Sequence, residues 1–269
     1  MARLVHSFWT RPSMGDRWGF RCEQLFYNLW YFALSVAYAK KIGAPIVLHT
    51  DTLGERLFGH LPYDDIRLTL DGIDPPYRFW AAGKFYAMQA ESDPKAIHID
   101  GDVFIKKPEL WECMANSKAD LIVQCKEDWQ DTFQRDVMAE YMHPDYFDHG
   151  YMYNTGVMGL LNPELKAKII AKYMAVLDEA KAKLPEAVLR EKLESPDLVC
   201  EQQMVAYMSE GYTVDALMPW HDMRRWAVEN GYQHVLSSQK FACLPRCKEV
   251  LRSINKDIYN KTKKICQNL

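Results

Sequence analysis

Two carboxylates stand one residue apart at the end of an apolar run. Residues 96–99 read as a buried strand, and Asp100-Gly101-Asp102 follows it directly. Along an extended backbone, residues i and i+2 point to the same side, so both acids aim at a common point. Like charges this close repel each other unless a cation lies between them, and oxygen ligands suit Mg²⁺ or Mn²⁺. The tripeptide therefore predicts a divalent metal site that would hold a phosphorylated substrate.

Strands and helices alternate along much of the chain, which predicts a mostly parallel sheet covered by helices on both faces. Apolar runs predict strands at residues 3–8, 45–50, 66–70, 97–100, 119–124, 151–161 and 212–217, the last in the chain. Helical spacing predicts helices at residues 20–42, 79–90, 163–184 and 196–210, with another beginning at Pro108. Ligands of such sheets bind beyond the carboxyl ends of the strands, where this order places Asp100 and Asp102.

Two segments have no regular pattern. Residues 10–16 are expected to form a loop after the first strand. Residues 127–150 are polar, aromatic and irregular, which is typical of an active-site loop or lid.

The composition is that of an ordinary globular protein. Hydrophobic residues make up 48% of the chain and the net charge is only −3, so no nucleic-acid partner is expected. The seven cysteines are scattered through apolar patterns, as reduced and buried thiols are, and no second Cys/His pair accompanies Cys243 and Cys247 at zinc-finger spacing. With no signal-like start and no apolar run of membrane-spanning length, we expect a cytoplasmic location.

The C-terminal segment differs from the rest of the chain in charge. Seven basic residues between positions 246 and 264 face only two acidic ones, with an apolar stripe among them. Such a helix can lie on the anionic inner face of a membrane, or pack on the domain with its charges in solvent. Both readings stay open, and we divide the chain into a main domain, residues 1–242, and a basic amphipathic C-terminal helix or tail, residues 243–269.

Five segments carry a resemblance to a known family. Residues 97–105 resemble the Asp-x-Asp strand of the glycosyltransferases with the GT-A (Rossmann-like) fold, in particular the retaining family-8 galactosyl- and glucosyltransferases. Four more segments fall in that family's order: the helix around Lys84, Tyr153-Asn154-Thr155-Gly156-Val157-Met158, Glu201-Gln202, and residues 234–240 with His234 and Lys240. The chain departs from the family pattern where Lys84 replaces an arginine, Glu201 an aspartate and Ser237 a glycine.

The resemblance implies an activity and a cofactor. The family moves a hexose from a nucleotide sugar, here expected to be a UDP sugar, to a hydroxyl of a glycan or glycolipid acceptor, with retention. Asp100, Asp102 and His234 would hold the metal ion, and an imidazole ligand favours Mn²⁺ over Mg²⁺. The donor sugar would meet Asn154 and Glu201, and Gln202 would lie beside the reacting carbon.

Other residues are expected around the substrates. Lys240 and Lys84 would supply ammonium charge to the donor, and Gly101 would allow its close approach. Trp9 and Thr10, just past the first strand, are candidates for contact with the base and ribose. His221 and Asp222, in a loop after strand 212–217, are weaker candidates for the acceptor pocket.

Two other classes of protein remain as alternatives. Phosphohydrolases of the haloacid dehalogenase type also place an Asp-x-Asp after a buried strand, but Phe104 stands where they carry threonine or valine. A non-catalytic sugar-binding protein on the same fold is the other alternative. The sequence names neither the sugar, the acceptor nor the oligomeric state.

Overall fold

The computed structural model describes residues 2–14, 21–76, 78–129, 132–142, 150–193, 196–236 and 239–269. In these residues the strands are β1 (Arg3–Phe8), β2 (Ile46–Thr50), β3 (Asp65–Arg67), β4 (Ala96–Ile99), β5 (Val103–Ile105), β6 (Leu121–Glu127), β7 (Met152–Leu160), β8 (Val214–Met218) and β9 (Tyr232–His234). The α-helices are α1 (Thr10–Met14), α2 (Arg21–Lys41), α3 (Thr52–Phe58), α4 (Ala82–Ala90), α5 (Pro108–Asn116), α6 (Thr132–Ala139), α7 (Pro163–Lys183), α8 (Glu186–Glu191), α9 (Met204–Met208), α10 (Met223–Asn230), α11 (Gln239–Ile254) and α12 (Lys256–Gln267). A π-helical turn, Leu198–Gln203, precedes α9, and a 3₁₀ turn, Trp220–Asp222, precedes α10.

Seven strands form the central sheet in the order β3-β2-β1-β4-β7-β6-β8, and β5 pairs with β9 in a separate two-stranded sheet. The pairs within the central sheet are parallel, except that β7 runs antiparallel to both of its neighbours, β4 and β6. The predicted class, a mixed and mostly parallel α/β sheet flanked by helices, is confirmed. The acids at 100 and 102 lie just beyond the carboxyl end of β4, in the middle of the sheet.

Alternate residues of the strands enter two separate cores. Leu4 and Leu48 face a core that includes the buried side chains of α2, whereas Val5 and Val47 face a second core built with α4 and α7. This period of two is the consequence of the pleat, which sends successive side chains to opposite faces of a strand. Both faces of the sheet are therefore covered, as parallel strands require.

Local signals fix several helix ends. Asn162 accepts hydrogen bonds from the backbone N–H groups of Glu164 and Leu165, and Pro163 occupies the first turn of α7. Asp51 caps α3 in the same way through the N–H of Gly54, at 2.8 Å. Gly43, at φ 73°, follows the end of α2 in the left-handed region that glycine adopts without strain.

The structure corrects three expectations about secondary structure. Residues 10–14 form helix α1 instead of a loop, and residues 15 and 16 lie outside the described part of the chain. β8 is not the last strand, because the three residues of β9 add a pair with β5; so short a strand shows no period in the sequence. The predicted helix 196–210 is divided into the π-helical turn and α9.

The predicted irregular segment 127–150 is partly regular. Its first residue ends β6, and α6 spans Thr132–Ala139. Residues 130–131 and 143–149 lie outside the described part of the chain, so the expectation of a lid stays a prediction.

The two C-terminal helices pack against α2. Leu244, Cys247, Leu251 and Ile258 are buried in the core that α2 shares with the sheet. Of the apolar stripe seen in the sequence, Ile258 is buried, whereas Val250, Ile254 and Ile265 are partly buried against the same core. Among the described helices, none combines the length and the apolar character that crossing a bilayer requires.

A buried histidine on β1 links the sheet to α2. His6 is fully buried, with Nδ1 2.8 Å from the hydroxyl of Tyr63 and Nε2 3.1 Å from the hydroxyl of Ser35. Because the Ser35 hydroxyl donates to the carbonyl of Val103, the ring nitrogen Nε2 is the donor to Ser35. Burial lowers the pKa of His6 to about 3, while the charge of Asp102 acts weakly in the opposite sense.

This histidine predicts a pH dependence of stability. Below about pH 6.5 the unfolded chain protonates the residue and the native state does not, so the free energy of unfolding falls as the pH falls towards the native pKa. Between about pH 7 and pH 5 one such group costs about 2 kcal/mol. Urea unfolding of His6→Gln across this range should show a pH slope weaker than wild type by about one proton, and an unchanged slope would contradict the assignment.

Candidate metal and donor site

Three possible metal ligands meet at the carboxyl end of β4. Asp100, Asp102 and His234 each offer one ligand atom, and these atoms all lie within 4.8 Å of one another. His234 arrives from a distant part of the chain because β9 pairs with β5, with Val103 opposite His234. Its Nε2 is 3.4 Å from Asp102 Oδ1. The structure thus brings together the three predicted ligands.

The imidazole of His234 is held by a side chain that the sequence analysis did not single out. Gln124, buried in β6, uses its Oε1 to accept a hydrogen bond from the Tyr232 hydroxyl and lies through the same atom 2.7 Å from His234 Nδ1. A carbonyl oxygen only accepts, so the network assigns the proton to Nδ1. Nε2 is left to face Asp102. Metal-binding histidines are commonly oriented by such a bond from the other ring nitrogen.

Two glycines allow this arrangement. A Cβ atom on Gly101 would lie 1.9 Å from the ring of Phe32, so only glycine fits between the two acids. A Cβ atom on Gly156 would lie 2.5 Å from Gln124 Oε1 and 2.6 Å from His234 Cε1. The geometry of the three ligands therefore depends on close backbone approach at both positions.

Lys84 supplies a buried positive charge beneath the acids. Its ammonium group lies 3.1 Å from Asp100 Oδ1 and 2.5 Å from Glu201 Oε1, and donates to the carbonyl of Thr155 at 2.8 Å. Three contacts use the three protons of an ammonium group, all on protein oxygens. Burial would lower the pKa of Lys84, but Asp100 and Glu201 hold that pKa well above its ordinary value. Lys84 thus stays charged.

Lys240 lies on the solvent side of the acids, at the start of α11. Its ammonium group is 2.5 Å from Asp102 Oδ2, and its side chain is 34% exposed. Burial alone would raise the pKa of Asp102, but Lys240 and His234 hold it well below its ordinary value. Ser237, which replaces a glycine of the resembled family, lies outside the described residues.

Glu201 and Gln202 lie in the π-helical turn, a geometry that is rare and frequent at functional sites. Burial raises the pKa of Glu201, against the opposing effect of Lys84, and its carboxylate accepts a hydrogen bond from the Thr155 hydroxyl at 2.5 Å. The Oε1 atom of Gln202 is buried and has no hydrogen-bond partner among the described residues. Such an atom is costly unless a ligand satisfies it.

Asn154 meets a carboxylate that the sequence analysis did not find. Its Nδ2 donates to Glu127 Oε1 at 2.8 Å, and its Oδ1 accepts from the N–H of Gly156 at 3.0 Å. Glu127 is buried at the end of β6, and burial raises its pKa. No period in the sequence marks this acid, which stands two residues after the run 121–125 and falls in the segment predicted to be irregular.

Trp9 and Thr10 lie at the carboxyl end of β1, the strand beside β4. Both are buried, and Thr10 donates to Asp51 through its backbone N–H at 2.8 Å and its hydroxyl at 2.7 Å. Trp9 lines a small cavity together with Arg11, residues 75–76 and residues 78–80. Their predicted contact with base and ribose stays a prediction.

His221 and Asp222 lie apart from the three ligands, in the exposed 3₁₀ turn after β8. His221 Nε2 is 3.1 Å from Asp128 Oδ2, next to the end of β6. Among the described residues, the cluster of possible metal ligands does not include His221. Its predicted place in an acceptor pocket stays a prediction.

The donor set fits a divalent cation. Two carboxylates and an imidazole whose Nε2 faces one of them suit Mn²⁺ or Mg²⁺. Around them, the four carboxyl groups described above outnumber the two ammonium groups, which leaves two negative charges in excess when all are ionised. A bound divalent ion would balance this excess.

With the geometry in place, the sequence can be set against known families. The family model of DUF6734, a family of unknown function, matches residues 2–268. The chain belongs to this family. Among curated proteins, none matches the chain.

Solved structures of glycosyltransferases are similar to this fold. The glycosyltransferase GlyE of Streptococcus pneumoniae TIGR4 gives a TM-score of 0.46 at 12% identity, over 98% of this chain and 65% of that one. The chain therefore spans slightly less than two thirds of GlyE. An active-site mutant of LgtC gives 0.41 at 11% identity, over 79% of this chain and 71% of that one. The galactosyltransferase LgtC with donor and acceptor sugar analogues gives 0.38 at 11% identity, over 79% and 72%.

The role of Gln124 can be tested through metal affinity. In Gln124→Leu the Nδ1 proton of His234 loses its acceptor, so the tautomer and ring orientation are no longer fixed. Mn²⁺ affinity, measured by titration calorimetry or by the electron paramagnetic resonance of free Mn²⁺, should fall about 10- to 100-fold.

Tyr232→Phe is the matched control. It removes the other hydrogen bond to the same Gln124 oxygen and leaves the bond to His234 in place, so affinity should change little. Equal losses in both variants would show that Gln124 acts only by packing.

Proposed function

We propose that this protein is a metal-dependent glycosyltransferase. It moves a hexose from a nucleotide sugar, of the UDP type, to a hydroxyl of a glycan or glycolipid, with retention. The observation that carries the proposal is the convergence of Asp100, Asp102 and His234 beside the exposed ammonium group of Lys240. This set of groups suits a diphosphate, and the buried Oε1 atom of Gln202, the residue after Glu201, suits a polar, uncharged group such as a sugar.

Asp100, Asp102 and His234 would hold Mn²⁺ or Mg²⁺. When bound, the ion supplies positive charge where a diphosphate leaving group becomes more negative. Lys240 adds a flexible point charge on the solvent side, within reach of phosphate oxygens. Lys84 was expected to supply ammonium charge to the donor, but its three N–H donors are engaged by protein oxygens. In our proposal its role is to position Asp100 and Glu201.

The donor sugar is oriented by hydrogen-bonding groups along β6, β7 and the π-helical turn. Asn154 and Glu127 present an amide and a carboxylate that already bond each other. Gln202 offers an acceptor, Oε1, that no residue in the described part of the chain satisfies. Because hydroxyl groups both donate and accept, a sugar can satisfy each of these atoms.

In our proposal, retention is taken from the resemblance to the retaining family-8 glycosyltransferases. An amide such as Gln202 is a feeble nucleophile, which disfavours a covalent intermediate on it. In our proposal the acceptor hydroxyl attacks from the face that the diphosphate leaves, and its proton passes to a leaving phosphate oxygen. No protein base is then required.

The test is a screen of nucleotide sugars with and without Mn²⁺. One donor should raise the melting temperature only when the metal is present, since a ligand stabilises the state that binds it. The same donor should release UDP slowly in water and faster with an acceptor. Asp102→Asn should abolish the metal-dependent stabilisation and lower UDP release by at least about 100-fold.

Asp257→Asn is the control. It removes an exposed carboxylate on α12 whose ion-pair partner, among the described residues, is Lys261 one turn later on the same helix. It should behave as wild type. Metal-dependent stabilisation that persists in Asp102→Asn would remove these acids from the site. Phosphate release from phosphomonoesters instead of UDP release would favour a phosphohydrolase.

A further inference from the structure

A second cavity lies away from the metal and donor site. It encloses about 680 Å³ between α5, β8 and α10, a volume within the usual range for small-molecule sites. None of its lining residues belongs to the candidate site. The cavity begins beside Lys107, just after β5, and Asn230, just before β9. Because Asp102 and His234 stand at the opposite end of the β5–β9 pair, the two sites are separated by that ribbon.

The wall of this cavity is apolar and aromatic. Trp226 of α10 lines it and is only partly buried, with its inner edge held against Tyr232 at a ring distance of 6.0 Å and an angle of 61°. Leu217 of β8 is partly buried beside it, and Leu110 of α5 closes the wall. The ring of Trp226 is thus fixed by packing and still open to a ligand.

The rim is acidic. Glu109, Asp215 and Glu229 are exposed carboxylates of the lining, and Lys107 is its cation. The Lys107 ammonium is already engaged by the carbonyl of Glu229 at 2.5 Å. Arg225, outside the lining, pairs with Glu229 at 2.9 Å, and Asp215 Oδ2 accepts a hydrogen bond from the Ser117 hydroxyl. The lining thus carries three carboxylates against the one ammonium group of Lys107. Phosphates and other anions would be repelled.

We propose that this cavity binds a neutral saccharide. A sugar places its C–H face on an aromatic ring and its hydroxyls on carboxylates, which accept strong charge-assisted hydrogen bonds. Trp226 provides the ring, and Asp215 and Glu109 provide the acceptors. The inference deepens the proposed function and rests on it in one respect: the saccharide would be a distant part of the acceptor chain. Binding there would raise the effective concentration of acceptor ends at the metal and donor site.

The experiment measures saccharide binding without metal or donor. Maltohexaose, cellohexaose and chitohexaose are titrated into the full chain, and binding is followed by calorimetry and by the intrinsic tryptophan fluorescence of the protein. At least one of them should bind, and both Trp226→Ala and Asp215→Lys should weaken that binding at least tenfold. Asp215 is exposed, so its variant keeps the test valid if Trp226→Ala fails to fold. Val228→Ala is the control, since Val228 is 81% exposed on the same helix and does not line the cavity.

Each outcome decides the proposal. Absence of binding by all three saccharides, or binding that both variants leave unchanged, overturns it. Binding of spermine with displacement of the saccharide also overturns it, because the acidic rim would then select a cation. UDP release into water is measured in parallel and should be unaffected by Asp215→Lys. If the protein binds a saccharide but releases no UDP, only the transferase proposal fails. If it releases UDP but binds no saccharide, only the proposal of a saccharide site fails.

Discussion

The buried ammonium group of Lys84 is the interaction on which the rest of the site depends. It reaches from α4 to Asp100 beyond β4, to the backbone of Thr155 in β7 and to Glu201 in the π-helical turn. Taken out of water, each of these charges is costly alone, and breaking such a pair typically costs about 3–5 kcal/mol. Lys84 therefore connects α4, the end of β4, β7 and the π-helical turn at one point. Asp100 and Glu201 cannot move without breaking these contacts.

The antiparallel strand β7 determines which groups surround that point. Because β7 runs against β4 and β6, Met152 at its start lies opposite Glu127, the last residue of β6, and Val157 further along lies opposite Ile99, the last residue of β4. Gly156 accepts from the N–H of Asp100 at 2.9 Å, and Asn154 bonds Glu127 across the sheet. A parallel strand at this position would instead place its last residues beside the ends of β4 and β6. The antiparallel direction of β7 therefore brings Asn154 and Gly156 next to the polar residues that follow β4 and end β6.

The sequence predicted the parts of this site that depend on local pattern. The acids at 100 and 102 follow an apolar run, and the segments with Asn154, Glu201 and His234 stand in the order of a known family, so their proximity could be expected. Gln124 and Glu127 could not be found in this way, because a polar residue inside or just after an apolar strand has no periodic signature. Their significance appears only when β9 brings His234 across, and β9 itself is three residues long. The net charge did not indicate the site either, since a total of −3 for the whole chain does not show a local excess of carboxylates.

The hydrogen bonds of Gln124 lead to a conclusion about what must lie between His234 and Asp102. Tyr232 is a hydroxyl donor to Gln124 Oε1, which identifies that atom as oxygen and makes Nδ1 of His234 a donor as well. Nε2 then faces Asp102 Oδ1 at 3.4 Å. A lone pair facing a carboxylate oxygen is repulsive in a buried setting, so a positive charge is needed between the two atoms. A proton on Nε2 or a metal ion can supply that charge, and the two compete because a metal ligand must be unprotonated. The fold therefore places a candidate cation position between His234 and Asp102, with the ammonium group of Lys240 on the other Asp102 oxygen.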